Sequence, residues 1–214
     1  MNQLSISRAI TFQATRRPHG PAITFEGRTI SWAELDRRTN RLARAYETLG
    51  VGQDDFVTIA LPNGIEFYEA SIAAWKLGAT PQPVSSRLPK LELHDLIELA
   101  HPKLVVGAPP GTPVPGASVP ASFEPDPALS DQILPARLAA SWPDTTSGDS
   151  TGRPKLIVSG DPGAFDLDLP GYQMLPDRTH LVPGPLYHNA PFAFSMLALF
   201  FGNHLVVMPR FDAA

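Results

Sequence analysis

Residues 56–107 read FVTIALPNGIEFYEASIAAWKLGATPQPVSSRLPKLELHDLIELAHPKLVVG, and this stretch decides the fold. One compact apolar run, at 56–61, has the length and composition of a buried strand, and two further strands are predicted at 80–84 and 103–107. The two segments that separate these strands carry apolar residues at helical spacing, the second of them over residues 91–99. Strand, helix, strand, helix and strand in this order predict an α/β fold, in which helices pack on a largely parallel sheet with right-handed crossovers.

The residues before this stretch predict a first helix and a hairpin. Residues 5–17 place apolar side chains at helical spacing, and Pro18 ends the pattern. Residues 22–25 and 29–30 are strand-like and flank the turn at 26–28, which is typical of a β-hairpin.

Two helix starts show the spacing of a capping residue followed three positions later by an acid. Ser31 precedes Glu34 in this way, which predicts a capping box at the start of the second helix. Asn63 precedes Glu66 with the same spacing, so we expect the Asn63 side chain to cap the third helix.

The composition is that of an ordinary soluble globular protein. Hydrophobic residues make up 43% of the 214 residues, charged residues 18%, and the formal net charge is -4. Runs of Lys or Arg that would indicate nucleic-acid or membrane binding are absent, and the longest apolar stretch, 190–201, is too short to span a bilayer. The sequence contains no Cys, which excludes disulfides and thiol chemistry and is compatible with a reducing compartment. With no secretory signal in residues 1–17, we expect a cytoplasmic location.

Proline divides the chain into three parts. Residues 108–143 are rich in proline, and they form either an ordered surface excursion or a flexible linker. We therefore predict an N-terminal α/β subdomain at 1–107, a connection at 108–143, and an incomplete domain at 144–214.

The third part begins with a loop in which hydroxyl side chains alternate with glycines, residues 145–155. Gly148 and Gly152 permit left-handed backbone angles, so successive N–H groups can converge on an anion. Hydroxyl donors and the closing Lys155 complete a set that suits a polyphosphate. The loop differs from a Walker A motif because Arg153 and Pro154 separate Gly152 from Lys155. A Ser/Gly loop that only joins two strands is the alternative reading.

The end of this loop resembles the phosphate-binding signature of the adenylate-forming superfamily, which includes acyl-CoA synthetases and nonribosomal-peptide adenylation domains. Four further segments resemble that family in the same order, at 30–35, 56–63, 75–79 and 185–189. The resemblance covers nearly the whole chain apart from the proline-rich part. Asp149 is an extra residue relative to the usual signature, and its carboxylate would be repelled by phosphates unless it points outward or accepts backbone N–H bonds.

The resemblance implies the N-terminal portion of an ATP-dependent acyl-CoA ligase. Such an enzyme activates a carboxylic acid as acyl-adenylate and transfers it to coenzyme A, with ATP, Mg and coenzyme A as cofactors. A fatty, aromatic or polycyclic acid is favoured over an amino acid, because no acidic residue stands out as an anchor for an amine. The residues expected to bind the nucleotide phosphates are Thr146, Ser147, Gly148, Ser150, Thr151, Gly152 and Lys155.

Two residues are expected to act in catalysis. Lys155 would neutralise the departing β- and γ-phosphates, and His188 would serve as an acyl-pocket or gating residue rather than as a base. The apolar helix after His188, residues 190–201, would mainly pack in the core, with one face available to the acyl pocket. The remaining histidines show no metal-ligand spacing, so no metal site is predicted.

In the family that this chain resembles, the adenine-, ribose- and Mg-binding elements and a catalytic lysine follow the position of Ala214. We therefore expect the isolated chain to be inactive and to self-associate through a face that the rest of the domain would cover. The alternative is a non-catalytic α/β module used for binding or assembly, in which the glycine-rich loop is only structural.

Overall fold

The structure, a computed structural model, describes residues 3–147, 155–166 and 174–211. Its helices are α1 (Ile6–Arg16), α2 (Trp32–Thr48), α3 (Ile65–Lys76), α4 (Lys90–Ala100) and α5 (Asn189–Phe200). Its strands are β1 (Gln3–Ser5), β2 (Pro21–Phe25), β3 (Arg28–Ser31), β4 (Phe56–Ile59), β5 (Thr80–Pro83), β6 (Leu104–Val106), β7 (Ala117–Val119), β8 (Asp144–Ser147), β9 (Lys155–Val158), β10 (Ala164–Asp166), β11 (Thr179–Val182) and β12 (His204–Val207).

The predicted α/β stretch forms a parallel four-stranded sheet with the order β5-β4-β6-β7. The prediction of helices on a largely parallel sheet is thereby confirmed. The chain passes from β4 to β5 on one side and then returns to β6 on the other, so α3 and α4 cover opposite faces. Ile59 accordingly packs in the main core, while Ala60 and Val105 pack with Leu96 and Ile97 under α4.

The proline-rich part of the chain contributes to this sheet. Strand β7 lies within residues 108–143 and pairs in parallel with β6, with Val106 opposite Val119. The boundaries of the three predicted parts stay predictions.

A second sheet combines strands from both ends of the chain in the order β11-β12-β2-β3. The predicted hairpin supplies β2 and β3, which pair antiparallel, and β12 pairs in parallel with β2 through Leu205 and Ile23. Residues 21–31 are therefore held by a strand that follows them by nearly the whole length of the chain. Two short antiparallel pairs, β1 with β10 and β8 with β9, complete the described strands.

Helix α3 occupies the centre of the core and contacts β4 and β5 of one sheet and β2 of the other. Every residue of α3 except Glu66 is buried, as expected for a helix that is covered on all sides. Helix α5 packs against it, with the Phe192 ring centroid 6.0 Å from that of Phe67 and 5.9 Å from that of Trp75. The core role predicted for the apolar segment 190–201 is confirmed for most of its large side chains, and Phe194 remains 41% exposed. The buried ones are Phe192, Met196, Leu199, Phe200 and Phe201.

A buried ion pair links helices α1, α2 and α3. The Lys76 ammonium lies 2.8 Å from Asp36 Oδ1 and donates to Asn40 Oδ1 at 2.7 Å, and Thr11 Oγ1 donates to the same Asp36 oxygen at 2.7 Å. Burial lowers the pKa of Lys76, and the Asp36 carboxylate opposes that shift. The network satisfies the charges that three packed helices would otherwise leave unpaired in the core.

The two predicted caps have different outcomes. Ser31 accepts a hydrogen bond from the backbone N–H of Glu34 at 3.2 Å, so the prediction that it caps α2 is confirmed. The prediction that Asn63 caps α3 is wrong, because Gly64 is the N-cap residue and no side chain bonds to the first turn. The Asn63 amide is engaged by partners in the second half of the chain, which are described below.

None of the helices in the described part of the chain is sufficiently long and apolar to cross a membrane.

Candidate functional site

Residues 148–154 of the predicted phosphate loop connect two strands that form a β-hairpin. Strands β8 and β9 pair antiparallel, and their last pair places Ser147 opposite Lys155. Thr146 is opposite Leu156 in the next pair. The other predicted phosphate-binding residues, Gly148, Ser150, Thr151 and Gly152, lie outside the described residues. The structure therefore brings together the two ends of the loop, with Lys155 exposed at one of them.

The base of this hairpin is attached to the core. The N–H of Trp142 donates to Asp161 O at 3.1 Å and that of Ser159 to Pro143 O at 3.3 Å, which extends the pairing below the strands. Trp75 of α3 donates its indole N–H to Trp142 O at 2.7 Å, and the two indole rings stack with centroids 6.4 Å apart. The loop thus extends from a hairpin that is fixed to the central helix.

His188 stands at the N-terminus of α5 with its side chain exposed. Its backbone is held, since its N–H donates to Pro185 O at 3.1 Å and its carbonyl accepts from Phe192 N at 3.1 Å. The imidazole packs against Tyr187 with ring centroids 4.4 Å apart and does not cap the helix. An exposed imidazole on a fixed backbone is suited to contact a ligand at a defined position.

The segment before His188 is held by Asn63, a residue whose role the sequence reasoning missed. The Asn63 side-chain amide donates to Gly184 O at 3.0 Å and to Met208 O at 2.9 Å. Its carbonyl oxygen accepts from Leu186 N at 2.9 Å. These partners are more than a hundred residues away in sequence, so no local pattern could have indicated them.

The hairpin and the segment that carries His188 meet at one aromatic ring. Trp142 at the hairpin base stacks on Phe192 of α5 with ring centroids 6.3 Å apart, and the carbonyl of His188 accepts from Phe192 N. Trp75 of α3 contacts both Trp142 and Phe192. The two predicted catalytic residues, Lys155 and His188, therefore lie on elements that pack on each other and on the central helix.

A cavity of about 540 Å³ opens beyond the carboxyl ends of β4 and β6, where the order of the parallel sheet reverses. Its lining includes Arg38, Tyr46, Leu61, Glu69, Val106 and Phe123. Arg38 binds both carboxylate oxygens of Glu69, and burial raises the pKa of Glu69 although Arg38 opposes the shift. Of the predicted site residues that the structure describes, none lines this cavity, and its most buried charge is already paired.

Within the three described ranges, no group of three or more His, Asp or Glu side chains is gathered so that it could hold a metal ion.

Comparison with known proteins gives a consistent family. The model of the family described as AMP-binding enzyme matches residues 10–214. The long-chain-fatty-acid–CoA ligase FadD13 of Mycobacterium tuberculosis is 27% identical over 206 residues, which cover 86% of this chain and 41% of that ligase. A dimodular nonribosomal peptide synthase of Bacillus subtilis is 35% identical over 94 residues, which cover 44% of this chain and 4% of the synthase.

A similar fold occurs in O-succinylbenzoate coenzyme A synthetase (MenE) from Bacillus subtilis, solved in complex with AMP. The TM-score is 0.81 at 18% identity, over 98% of this chain and 57% of that one. At this identity the likeness concerns the fold alone. The chain spans well under two thirds of the ligase and synthase that it matches.

Proposed function

The chain belongs to the AMP-binding enzyme family, whose model matches residues 10–214, and from this premise we propose that it supplies the phosphate-binding part of an ATP-dependent acyl-CoA ligase. In the proposed reaction a carboxylate oxygen attacks the α-phosphorus of ATP, and pyrophosphate leaves. The thiol of coenzyme A then displaces AMP from the acyl-adenylate. The observation that carries the proposal is the glycine-rich loop of residues 145–155, which lies inside the matched range.

In this proposal the loop binds the β- and γ-phosphates as they depart. Its hydroxyls and backbone N–H groups donate hydrogen bonds, and the ammonium of Lys155 compensates the growing negative charge. The pairing of Ser147 with Lys155 supports the proposal, because it closes the loop and sets a cation beside its entrance. The residues assigned to phosphate binding are Thr146, Ser147, Gly148, Ser150, Thr151, Gly152 and Lys155.

His188 is assigned to the acyl side of the site. Its fixed backbone and exposed imidazole support a role in orienting or gating the carboxylic acid at the N-terminus of α5. Proton transfer is not required of it, because a carboxylic acid is already ionised at neutral pH.

Magnesium, the expected metal cofactor, would neutralise phosphate charge in such a reaction. Among the residues that the structure describes, none form a ligand cluster for it. Each step assigned to this chain is therefore one of binding, orientation or charge compensation by its own side chains.

Coenzyme A is proposed as the acceptor in preference to a carrier-bound thiol. The support is the extent of the match to the ligase, which aligns with 86% of this chain. Nonribosomal peptide synthetases align with as much as 74% of it, so the thioester assay below decides between the two acceptors. The acid itself is proposed to be fatty, aromatic or polycyclic.

The test uses the protein produced from the complete reading frame that encodes this chain. Exchange of labelled pyrophosphate into ATP would be measured with fatty, aromatic, polycyclic and amino acids, and thioester formation with coenzyme A. We expect exchange that depends on a non-amino carboxylic acid and a thioester when coenzyme A is added. The absence of acid-dependent exchange across the panel would contradict the proposal and support the alternative of a non-catalytic α/β module.

A further inference from the structure

We propose that Asn63 is a positioning residue that fixes the backbone carrying His188; its relevance to catalysis rests on the function proposed above. The side-chain amide of Asn63 makes three hydrogen bonds, donating to Gly184 O and Met208 O and accepting from Leu186 N, at 2.9 to 3.0 Å. Each partner is a backbone group, so the contacts fix main-chain positions and do not depend on the rotamer of a second side chain.

The three bonds join the ends of two different sheets. Asn63 follows β4 in the parallel sheet, while Met208 follows β12 in the other sheet and donates its own N–H to Val182 O at 3.0 Å. The loop from β11 to α5 lies between these strand ends and receives the other two bonds, at Gly184 and Leu186. Asn63 therefore determines where this loop lies relative to both sheets.

The path from Asn63 to His188 is short and closely packed. Leu186 is 1% exposed, and the next turn is closed by the bond from His188 N to Pro185 O. Gly184 lies so close to α5 that a Cβ atom there would come within 2.6 Å of Pro191 Cγ. A displacement at Gly184 or Leu186 would consequently move His188 as well.

The chemistry of the site requires an amide. Two carbonyl oxygens face the Asn63 nitrogen, and one N–H faces its oxygen, so donor and acceptor must stand on the same short side chain. Aspartate has nearly the same shape and keeps the acceptor, but it would present a carboxylate oxygen to Gly184 O and Met208 O. Asn63→Asp therefore removes the two donations and adds repulsion with little change of volume.

The first experiment measures residue-resolved amide hydrogen exchange in this chain, comparing wild type, Asn63→Asp and the milder Asn63→Ser. The control is Ile97→Val, which removes one methylene group from the separate hydrophobic cluster under α4. We expect exchange at Leu186 and His188 to become about tenfold faster or more in Asn63→Asp, less so in Asn63→Ser, with α3 unchanged. The control should leave both amides at their wild-type rates once the small overall loss of stability is subtracted.

Two outcomes would overturn the inference. One is unchanged exchange at Leu186 and His188 in both Asn63 variants. The other is a uniform acceleration of amide exchange that Ile97→Val also shows when its melting temperature equals that of the Asn63 variant. If Asn63→Asp does not fold, Asn63→Ser decides by the same criterion, since its hydroxyl can restore one donation.

The second experiment asks whether this positioning acts in the proposed reaction, using the complete protein. Asn63→Ser should raise KM for the carboxylic acid about tenfold while KM for ATP changes less than about twofold. Equal changes in the two KM values, or no change in either, would show that Asn63 does not act on the acyl side of the site. Should the wild type show no acid-dependent exchange, the proposed function fails, while the hydrogen-exchange result still decides whether Asn63 holds the His188 segment.

Discussion

Ser147 and Lys155 pair in antiparallel register at the end of the β8–β9 hairpin where residues 148–154 connect its strands. They flank residues 148–154 of the glycine-rich segment, so the two chain ends that these residues connect are fixed at the distance of a strand pair. The hairpin base is in turn bonded to Trp75 of the central helix. A phosphate-binding loop in this position would be carried by a rigid support, which is what a preorganised site requires.

The buried ion pair of Lys76 and Asp36 predicts a large stability loss on removal of one partner. Their side chains are 2% and 11% exposed, so Lys76→Met leaves the Asp36 carboxylate in the core without its countercharge. We expect the free energy of unfolding to fall by about 3–5 kcal/mol. Urea denaturation should show a change below about 0.5 kcal/mol for the control Lys90→Met, an exposed lysine of α4. Similar losses in both variants would contradict the burial of this pair.

Two glycines with positive φ allow the stability cost of backbone strain to be measured apart from the cost of a close contact. Gly107 has φ +84° and a Cβ there would lie 2.6 Å from Ala60 O, whereas Gly111 has φ +77° with nothing within 4 Å. Gly111→Ala should cost about 1–2 kcal/mol from strain alone. Gly107→Ala should cost clearly more, by about 2 kcal/mol in addition, because backbone must move. Equal unfolding free energies for the two variants would show that the approach of Gly107 to Ala60 is looser than described.

The pKa shifts of two histidines in the second sheet predict how the stability of the protein depends on pH. Burial lowers the pKa values of His180 and His204 below the ordinary 6.5, and His204 Nε2 lies 2.8 Å from Thr24 Oγ1. The unfolded chain therefore binds protons more readily than the folded one. Stability is fully present above pH 6.5, falls as the pH is lowered through 6.5, and levels off below the folded pKa values.

The measurement for this prediction is urea unfolding between pH 7.5 and about 5, above the range in which ordinary carboxylates titrate. The double variant His180→Gln and His204→Gln should show a shallower decline than wild type. A decline of the same steepness would mean that other groups cause it.

Elements that depend on local patterns could be predicted from the sequence. The apolar run at 56–61 became the parallel strand β4, because a strand buried on both faces favours continuous apolar side chains. The strands predicted at 80–84 and 103–107 became β5 and β6. Ser31 caps α2 because its hydroxyl reaches an N–H only three residues away.

Features that depend on distant contacts could not be predicted. The parallel pairing of Ile23 with Leu205 joins residues from opposite ends of the chain, and periodicity carries no information about such a partner. Asn63 shows the same limit within the candidate site. Its local spacing was that of a helix cap, but three distant backbone groups engage its amide instead.

The candidate site was predicted in part. Composition and family resemblance singled out the loop and His188, whereas the hairpin register and the fixed backbone before α5 are properties of the folded structure. The predicted roles of the loop residues and of His188 stay predictions.

The central claim is that Lys155 acts on the phosphates of ATP. Its most direct test is acid-dependent pyrophosphate exchange by the complete protein, in wild type, Lys155→Ala and the exposed control Lys90→Ala. Lys155 is exposed, so Lys155→Ala should change the free energy of unfolding by less than about 0.5 kcal/mol. Loss of one charge-assisted contact to the departing phosphates should lower the exchange rate about tenfold or more, while the control keeps the wild-type rate. A wild-type rate in Lys155→Ala would contradict the claim, and a rate loss accompanied by a collapsed melting temperature would show that the loop is structural instead.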